Sequence, residues 1–247
     1  MGGISMKCKK WLADYIPALL AALLIIAFSV LRAQSFIKTL PTLITLVVQI
    51  LLCHANRFGF LIGGINALIY GISYFDERLY FSCISAVLIS APIQLYSFFH
   101  WSKRQTRANH TALQSLHARK HLVVAIFTLV LWLAVYFGLH GLFTGGRLPY
   151  FDSFHFVMGI IVSLLAAFRF VESQYFSVVS GCTTVVMWGL ICADAPSNVN
   201  YLIISCYNLF MVAKAAVNWT RQYMWDKYER ERNNEFQNGA SAAAAGK

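Results

Sequence analysis

Apolar residues run through this chain in long stretches, not in the short alternations of strands or the one-sided stripes of surface helices. Eight such stretches carry almost no charge and approach the roughly 20 residues that a helix needs to cross a bilayer. They cover approximately 11–31, 36–53, 58–75, 79–101, 121–143, 154–170, 175–192 and 199–219. The pattern predicts an all-α integral membrane protein of eight transmembrane helices in a single membrane domain over 1–222. Pro41 lies near the start of the second stretch, where proline is tolerated, whereas Pro92 lies inside the fourth, where it should kink the helix and free a carbonyl. A basic tail over 223–247 is expected to be cytoplasmic and disordered, and its low-complexity end, EFQNGASAAAAGK, is set aside as an artificial extension. The basic N-terminus before the first stretch resembles a signal peptide, but a retained first helix is expected because the rest of the chain is membrane-embedded.

The chain also repeats itself. Displaced by 118 residues, RFGFLIGGINALIYGISYFDER falls on YFSVVSGCTTVVMWGLICADAP without a gap. Phe58 meets Phe176, Gly63 meets Gly181, Gly71 meets Gly189, Asp76 meets Asp194 and Tyr70 meets Trp188. Further on, Trp101 meets Trp219, and the second glycine precedes that tryptophan by 30 residues in both copies. Four crossings separate the copies, so each enters the membrane in the same direction. The expected plan is one extra helix (11–31), repeat one (36–101), a linker helix (121–143) and repeat two (154–219), or 1+3+1+3. Parallel internal repeats are a known transporter plan, with the substrate held at their interface near mid-membrane.

Polar side chains inside the spans need partners, so they face a cavity or another helix. Asn66 lies in the middle of the third span and its repeat mate Thr184 in the middle of the seventh. Gln94 follows Pro92 in the fourth, and Asn208 and Gln49 lie in the eighth and second. Any one of these serves as well to join helices, but together they would line a shared polar cavity. Asn66 and Tyr70 are four residues apart and share a helix face, as do Thr184 and Trp188. Such a pair offers a hydrogen-bonding head beside a flat stacking surface. It suits a heteroaromatic ring bearing a sugar, above all a cationic ring over a tryptophan face. Asn66, Tyr70, Gln94, Thr184, Trp188 and Asn208 are therefore the candidate substrate-binding residues. Trp101 and Trp219 are read as packing or interface anchors. Gly59 and Gly63 form a GxxxG step that predicts close packing of the third span.

Composition agrees with a membrane protein: 58% of residues are hydrophobic and 12% charged, against about 25% charged in soluble domains. The net charge of +10 would suggest nucleic acid in a soluble protein, but here it sorts by side. With the N-terminus inside, the outer loops hold only Arg32, Lys38, Arg78 and Arg147, against fifteen Lys and Arg in the cytoplasmic segments. The positive-inside rule then puts both termini in the cytoplasm. The basic segment SKRQTRANHTALQSLHARK lacks interleaved aromatics and is read as a headgroup-facing loop that contacts membrane lipid. No nucleic-acid partner is expected. The six cysteines show no CxxC and are read as small buried hydrophobes. No phosphate-binding loop, metal spacing or nucleophile–base pair stands out, and every acid falls at a loop or helix end. An enzyme is therefore not expected, nor a metal or cofactor. Facilitated diffusion is the simplest mechanism that remains.

The stretch RFGFLIGGINALIYGISYFDERLYFSCISAVLISAPIQLYSFFHW resembles the first repeat of the PnuC-type vitamin transporters, and the segment ending AVNWTRQ resembles the second. The resemblance covers about residues 45–222. It implies a SWEET-like fold of two parallel three-helix bundles joined by a linker helix, and import of nicotinamide riboside as a uniporter of the cytoplasmic membrane. It implies trapping of the riboside by cytoplasmic phosphorylation, and in some members a homotrimer. Members that carry nicotinamide riboside have a WxxW pair in the seventh span. Here the matching residues read Val185, Val186, Met187 and Trp188, so one tryptophan of the pair is present. Relatives with altered motifs carry thiamine or other nucleosides. A deoxyribonucleoside or thiamine carrier therefore stays open, as does a membrane scaffold without transport.

Overall fold

The computed structural model describes residues 2–103, 113–116, 118–139 and 146–245, with side chains for 15–103, 113–116, 119–138 and 146–233. It is helical at every predicted span. The helices are α1 (Gly2–Leu31), α2 (Phe36–Cys53), α3 (Phe58–Asp76), α4 (Tyr80–Ser102), α5 (Ala118–Leu139), α6 (Pro149–Ala167), α7 (Glu172–Asp194) and α8 (Val199–Ala245). Among the described residues seven helices are long and apolar enough to cross a membrane, joined by the shorter apolar stretch Tyr15–Leu31 of α1. Two differences from the sequence expectation stand out. The disturbance expected at Pro92 takes the form of a π-helical turn over Ser85–Ser90, just before the proline. The last helix does not end near residue 219 but continues through the expected disordered tail to Ala245. Its outer part, YMWDKYERER, includes the good helix formers Met, Lys, Glu and Arg and carries an i,i+4 pair between Lys227 and Glu231. The basic segment 102–120 lies largely outside the described residues.

Six helices close a ring: α2 packs on α3, α3 on α4, α4 on α6, α6 on α7, α7 on α8, and α8 back on α2. Helix α1 leans on α2 and α8, and α5 leans on α6. The GxxxG glycines explain one close approach. A methyl at Gly59 would stand 2.9 Å from Leu52, so α2 and α3 can meet there only without a side chain.

The first helix of each half ends in the same way. Ala55 (φ 52°) and Arg169 (φ 65°) both take the left-handed conformation just past the helix end. Asn56 N–H then reaches Leu51 O at 2.9 Å, and Phe170 N–H reaches Leu165 O at 2.9 Å. Trp101 Nε1 donates to Ala166 O at 3.1 Å, and Trp219 Nε1 donates to Leu52 O at 3.0 Å. Each tryptophan thus completes the carbonyl end of the other half's first helix. Their rings meet at 5.5 Å, almost wholly buried. Packing, not interfacial anchoring, is their role. These caps match at an offset of 114 residues, whereas the ends of α3 and α7 match at 118. The extra four residues lengthen α7 by about one turn, which keeps its faces in register.

Polar networks hold both ends of the ring. At the end where α3 and α7 finish, the buried Glu77 carboxylate accepts from Lys38 at 2.8 Å, Asn198 at 2.9 Å and Arg147 at 3.4 Å. At the opposite end the Glu172 carboxylate accepts from Ser115 Oγ at 2.7 Å and Leu116 N–H at 3.0 Å, and pairs with His121 at 3.0 Å. This fastens the chain ahead of α5. The cysteines do not follow the sequence reading throughout: Cys53 is buried, but Cys182 and Cys206 are exposed.

Candidate functional site: a polar and aromatic chamber

The ring encloses space. Two cavity lobes of about 290 and 320 Å³ share walls at Gln49, Tyr70, Tyr74, Gln94, His155 and Ser163. Together they reach the size of small-molecule sites, roughly 300–1,000 Å³. The first lobe lies mainly between α2, α3, α4 and α6 and is rich in hydroxyls: Thr45, Ser85, Ser90, Ser97, Ser163 and Ser177. The second lies mainly between α6, α7 and α8 and carries Ser180, Thr184, Trp188, Tyr201 and Asn208. Neither wall contains Asp, Glu, Lys or Arg among the described residues.

All six candidate residues reach this chamber. Asn66 borders the first lobe, Tyr70 and Gln94 border both, and Thr184, Trp188 and Asn208 border the second. The pairings Asn66 with Tyr70 and Thr184 with Trp188, drawn from the i,i+4 spacing, hold in three dimensions. Asn66 is only half available, however. Its Nδ2 donates to Pro41 O at 3.1 Å and Thr45 Oγ1 at 2.9 Å, while Oδ1 is buried without a partner. The amide therefore joins α3 to α2 and keeps an acceptor in reserve. Asn208 Oδ1 is likewise unpartnered. Gln94 lies so close to α3 that a methyl at Gly63 would collide with its Oε1.

The ring chemistry comes from more helices than the sequence pattern suggested. Trp188 stacks on Tyr201 of α8 with centroids 4.4 Å apart and planes 23° apart. Tyr74 of α3 lies near the indole at 6.4 Å and 23°. Tyr70 stacks in turn on Tyr74 at 5.6 Å. Tyr201 also lies 6.3 Å from Tyr70, so Tyr70, Tyr74, Trp188 and Tyr201 form a closed cluster drawn from α3, α7 and α8. The aromatic neighbours of Trp188 thus come from α8 and α3, not from its own helix.

The sequence reading did not single out His155, Tyr74, Tyr201 or the chamber serines. Tyr74 had a signal: it is one turn beyond Tyr70 on the same face. His155 and Tyr201 sit near helix starts, among ordinary membrane aromatics, where spacing alone marks nothing.

Comparison with known proteins follows this geometry. The sequence model of the family described as nicotinamide mononucleotide transporter matches residues 35–221. The chain belongs to that family. A multi-pass membrane transport protein is what the family membership and the apolar helices together describe. The family's match starts just before α2, so α1 lies outside it. Among solved structures, the crystal structure of the vitamin B3 transporter PnuC superimposes with a TM-score of 0.74, over 85% of this chain and 92% of that chain, at 18% identity. That likeness is one of fold. No curated protein matches the chain.

Proposed function

We propose that the protein carries nicotinamide riboside across the cytoplasmic membrane by facilitated diffusion, with both termini in the cytoplasm and trapping of the riboside by phosphorylation inside. The observation that carries this reading is the chamber itself, an aromatic cluster and a hydroxyl-rich wall without one charged side chain among the described residues. A pyridinium ring draws attraction from tryptophan and tyrosine faces and needs no carboxylate to do so. The ribose would face the amides and hydroxyls of the first lobe. A mononucleotide would bring a phosphate dianion into the same space, and burying that charge without a cation is costly. The riboside therefore fits better than the nucleotide for which the family is described.

Two parallel three-helix repeats, in the SWEET-like 1+3+1+3 arrangement, are part of the proposal. The matched helix caps and the crossed Trp101 and Trp219 bonds support it. Rocking of one repeat against the other about that tryptophan pair would alternate access to the chamber.

Uptake into proteoliposomes tests the reading. Labelled nicotinamide riboside should enter saturably, without ATP or an ion gradient, and should compete with unlabelled riboside. The mononucleotide should not enter. Faster uptake of the mononucleotide, of thiamine or of a deoxyribonucleoside would replace nicotinamide riboside as the substrate, and absence of all flux would remove the transport reading.

A glycine supplies a milder probe. In Gly63→Ala the new methyl displaces the flexible end of Gln94 rather than backbone. The fold should survive, and the KM for uptake should rise about 2–10-fold, the worth of one lost hydrogen bond. An unchanged KM would take Gln94 out of the binding wall.

A further inference from the structure

His155 stands where both lobes meet, on α6, and faces α7. Its Nδ1 lies 3.3 Å from Thr184 Oγ1 and 3.5 Å from Ser180 Oγ. Thr184 already spends its only proton on Ser180 O at 2.7 Å. With that proton so placed, Thr184 Oγ1 accepts from the histidine, and the network closes with the hydrogen assigned to Nδ1 and Ser180 Oγ beside it. Among the described residues the chamber wall has no carboxylate to pair with an imidazolium. The tautomer assigned by this network leaves Nε2 as a bare acceptor, and nothing among the described residues bonds to it.

The other half of the molecule offers no equivalent. At the cap offset of 114 residues, His155 corresponds to Pro41, and at the later offset of 118 Thr184 corresponds to Asn66. Asn66 Nδ2 bonds Pro41 O at 3.1 Å, just as His155 bonds Thr184. Each half thus pins its first helix to its second at the same level. Repeat one does so with a backbone carbonyl and the Thr45 hydroxyl, and presents no imidazole. Repeat two does so with an imidazole and presents a second nitrogen to the chamber. A two-sided cavity becomes one-sided at this point.

Resting on the riboside reading, we infer that His155 is a specificity-determining residue: its Nε2 accepts a hydrogen bond from the ring carboxamide of the substrate and turns away the ring acid. An amide NH2 has a proton to give to Nε2. A carboxylate has none, and it would set its negative charge against a lone pair in a chamber that has no Lys or Arg among the described residues. A site built around one such bond discriminates because the wrong substrate leaves a buried polar group unpaired.

The test is proteoliposome uptake of two labelled substrates, nicotinamide riboside and nicotinic acid riboside, by the intact protein. The wild type should prefer the amide by at least about 10-fold in kcat/KM. In His155→Ala the ratio should fall toward one, mainly through loss of amide uptake. His155→Gln, whose carboxamide can still accept, should keep part of the preference and confirms selectivity if the alanine variant does not fold. A ratio unchanged in both variants, with amide uptake intact, overturns the role of His155 and leaves the riboside reading in place. Failure of the wild type to carry the amide overturns that reading and this inference with it.

Discussion

Trp188→Ala is expected to weaken nicotinamide riboside uptake more than any other single change in the chamber. The indole is almost fully buried, stacked on Tyr201 and flanked by Tyr74. Stacking on an aromatic side chain is worth about 1–3 kcal/mol per base by alanine substitution, which corresponds to roughly 5–150-fold in affinity. The cationic ring adds to the attraction of the indole face. Truncation also leaves a void beside Met187 and Ile191, in the cluster that Trp188 shares with them. The check is KM and maximal rate in proteoliposomes, together with thermal unfolding of the purified variant. Trp188→Phe should restore much of the uptake, because a flat face returns. Equal KM values in wild type and alanine variant, with the fold intact, would mean that the ring does not bind here.

Asp152→Ala should give the largest loss of stability. Asp152 opens α6, yet its carboxylate serves α4. It accepts from Phe81 N–H at 3.0 Å, Ser82 N–H at 2.9 Å and the Ser82 hydroxyl. A helix N-terminus has unpaired N–H groups and a positive dipole end, and here a neighbouring helix supplies the anion. The carboxylate is buried, so alanine would leave three buried donors without their acceptor. The cost is about 2–4 kcal/mol, or roughly 5–15 °C in midpoint for a chain of this size. Asp152→Asn keeps an acceptor and should lose less. Because Asp152 is not on the chamber wall, the KM of the folded fraction should not move. A midpoint within 2 °C of wild type, to roughly the worth of 1 kcal/mol, would show that the cap is not holding α4 to α6.

The helices themselves were legible in the order of residues. Bilayer thickness imposes about 20 apolar residues per crossing, so each span announced itself. Helix ends came out within about five residues, except where α1 begins nine residues earlier, at Gly2, and where α8 continues beyond the membrane segment. The i,i+4 pairs Asn66 with Tyr70 and Thr184 with Trp188 were equally legible, because a helix has one period and shared faces follow from it. The internal repeat could be aligned, but its change of offset by one turn could not. That change is visible only where the caps of α2 and α6 are compared with the ends of α3 and α7.

Contacts between distant segments were another matter. Nothing in a linear pattern pairs Trp188 with Tyr201 and Tyr74, assigns Asp152 to the start of α4, or turns His155 toward Thr184. Half of Asn66 went to joining helices for the same reason: its amide hydrogens met Pro41 O and Thr45 when α2 packed against α3. Local composition and the thickness of the membrane dictate which segments are helices and which faces are polar. The choice of partner for each polar group is made when the ring closes, since a buried donor or acceptor takes whatever group the packing brings within reach.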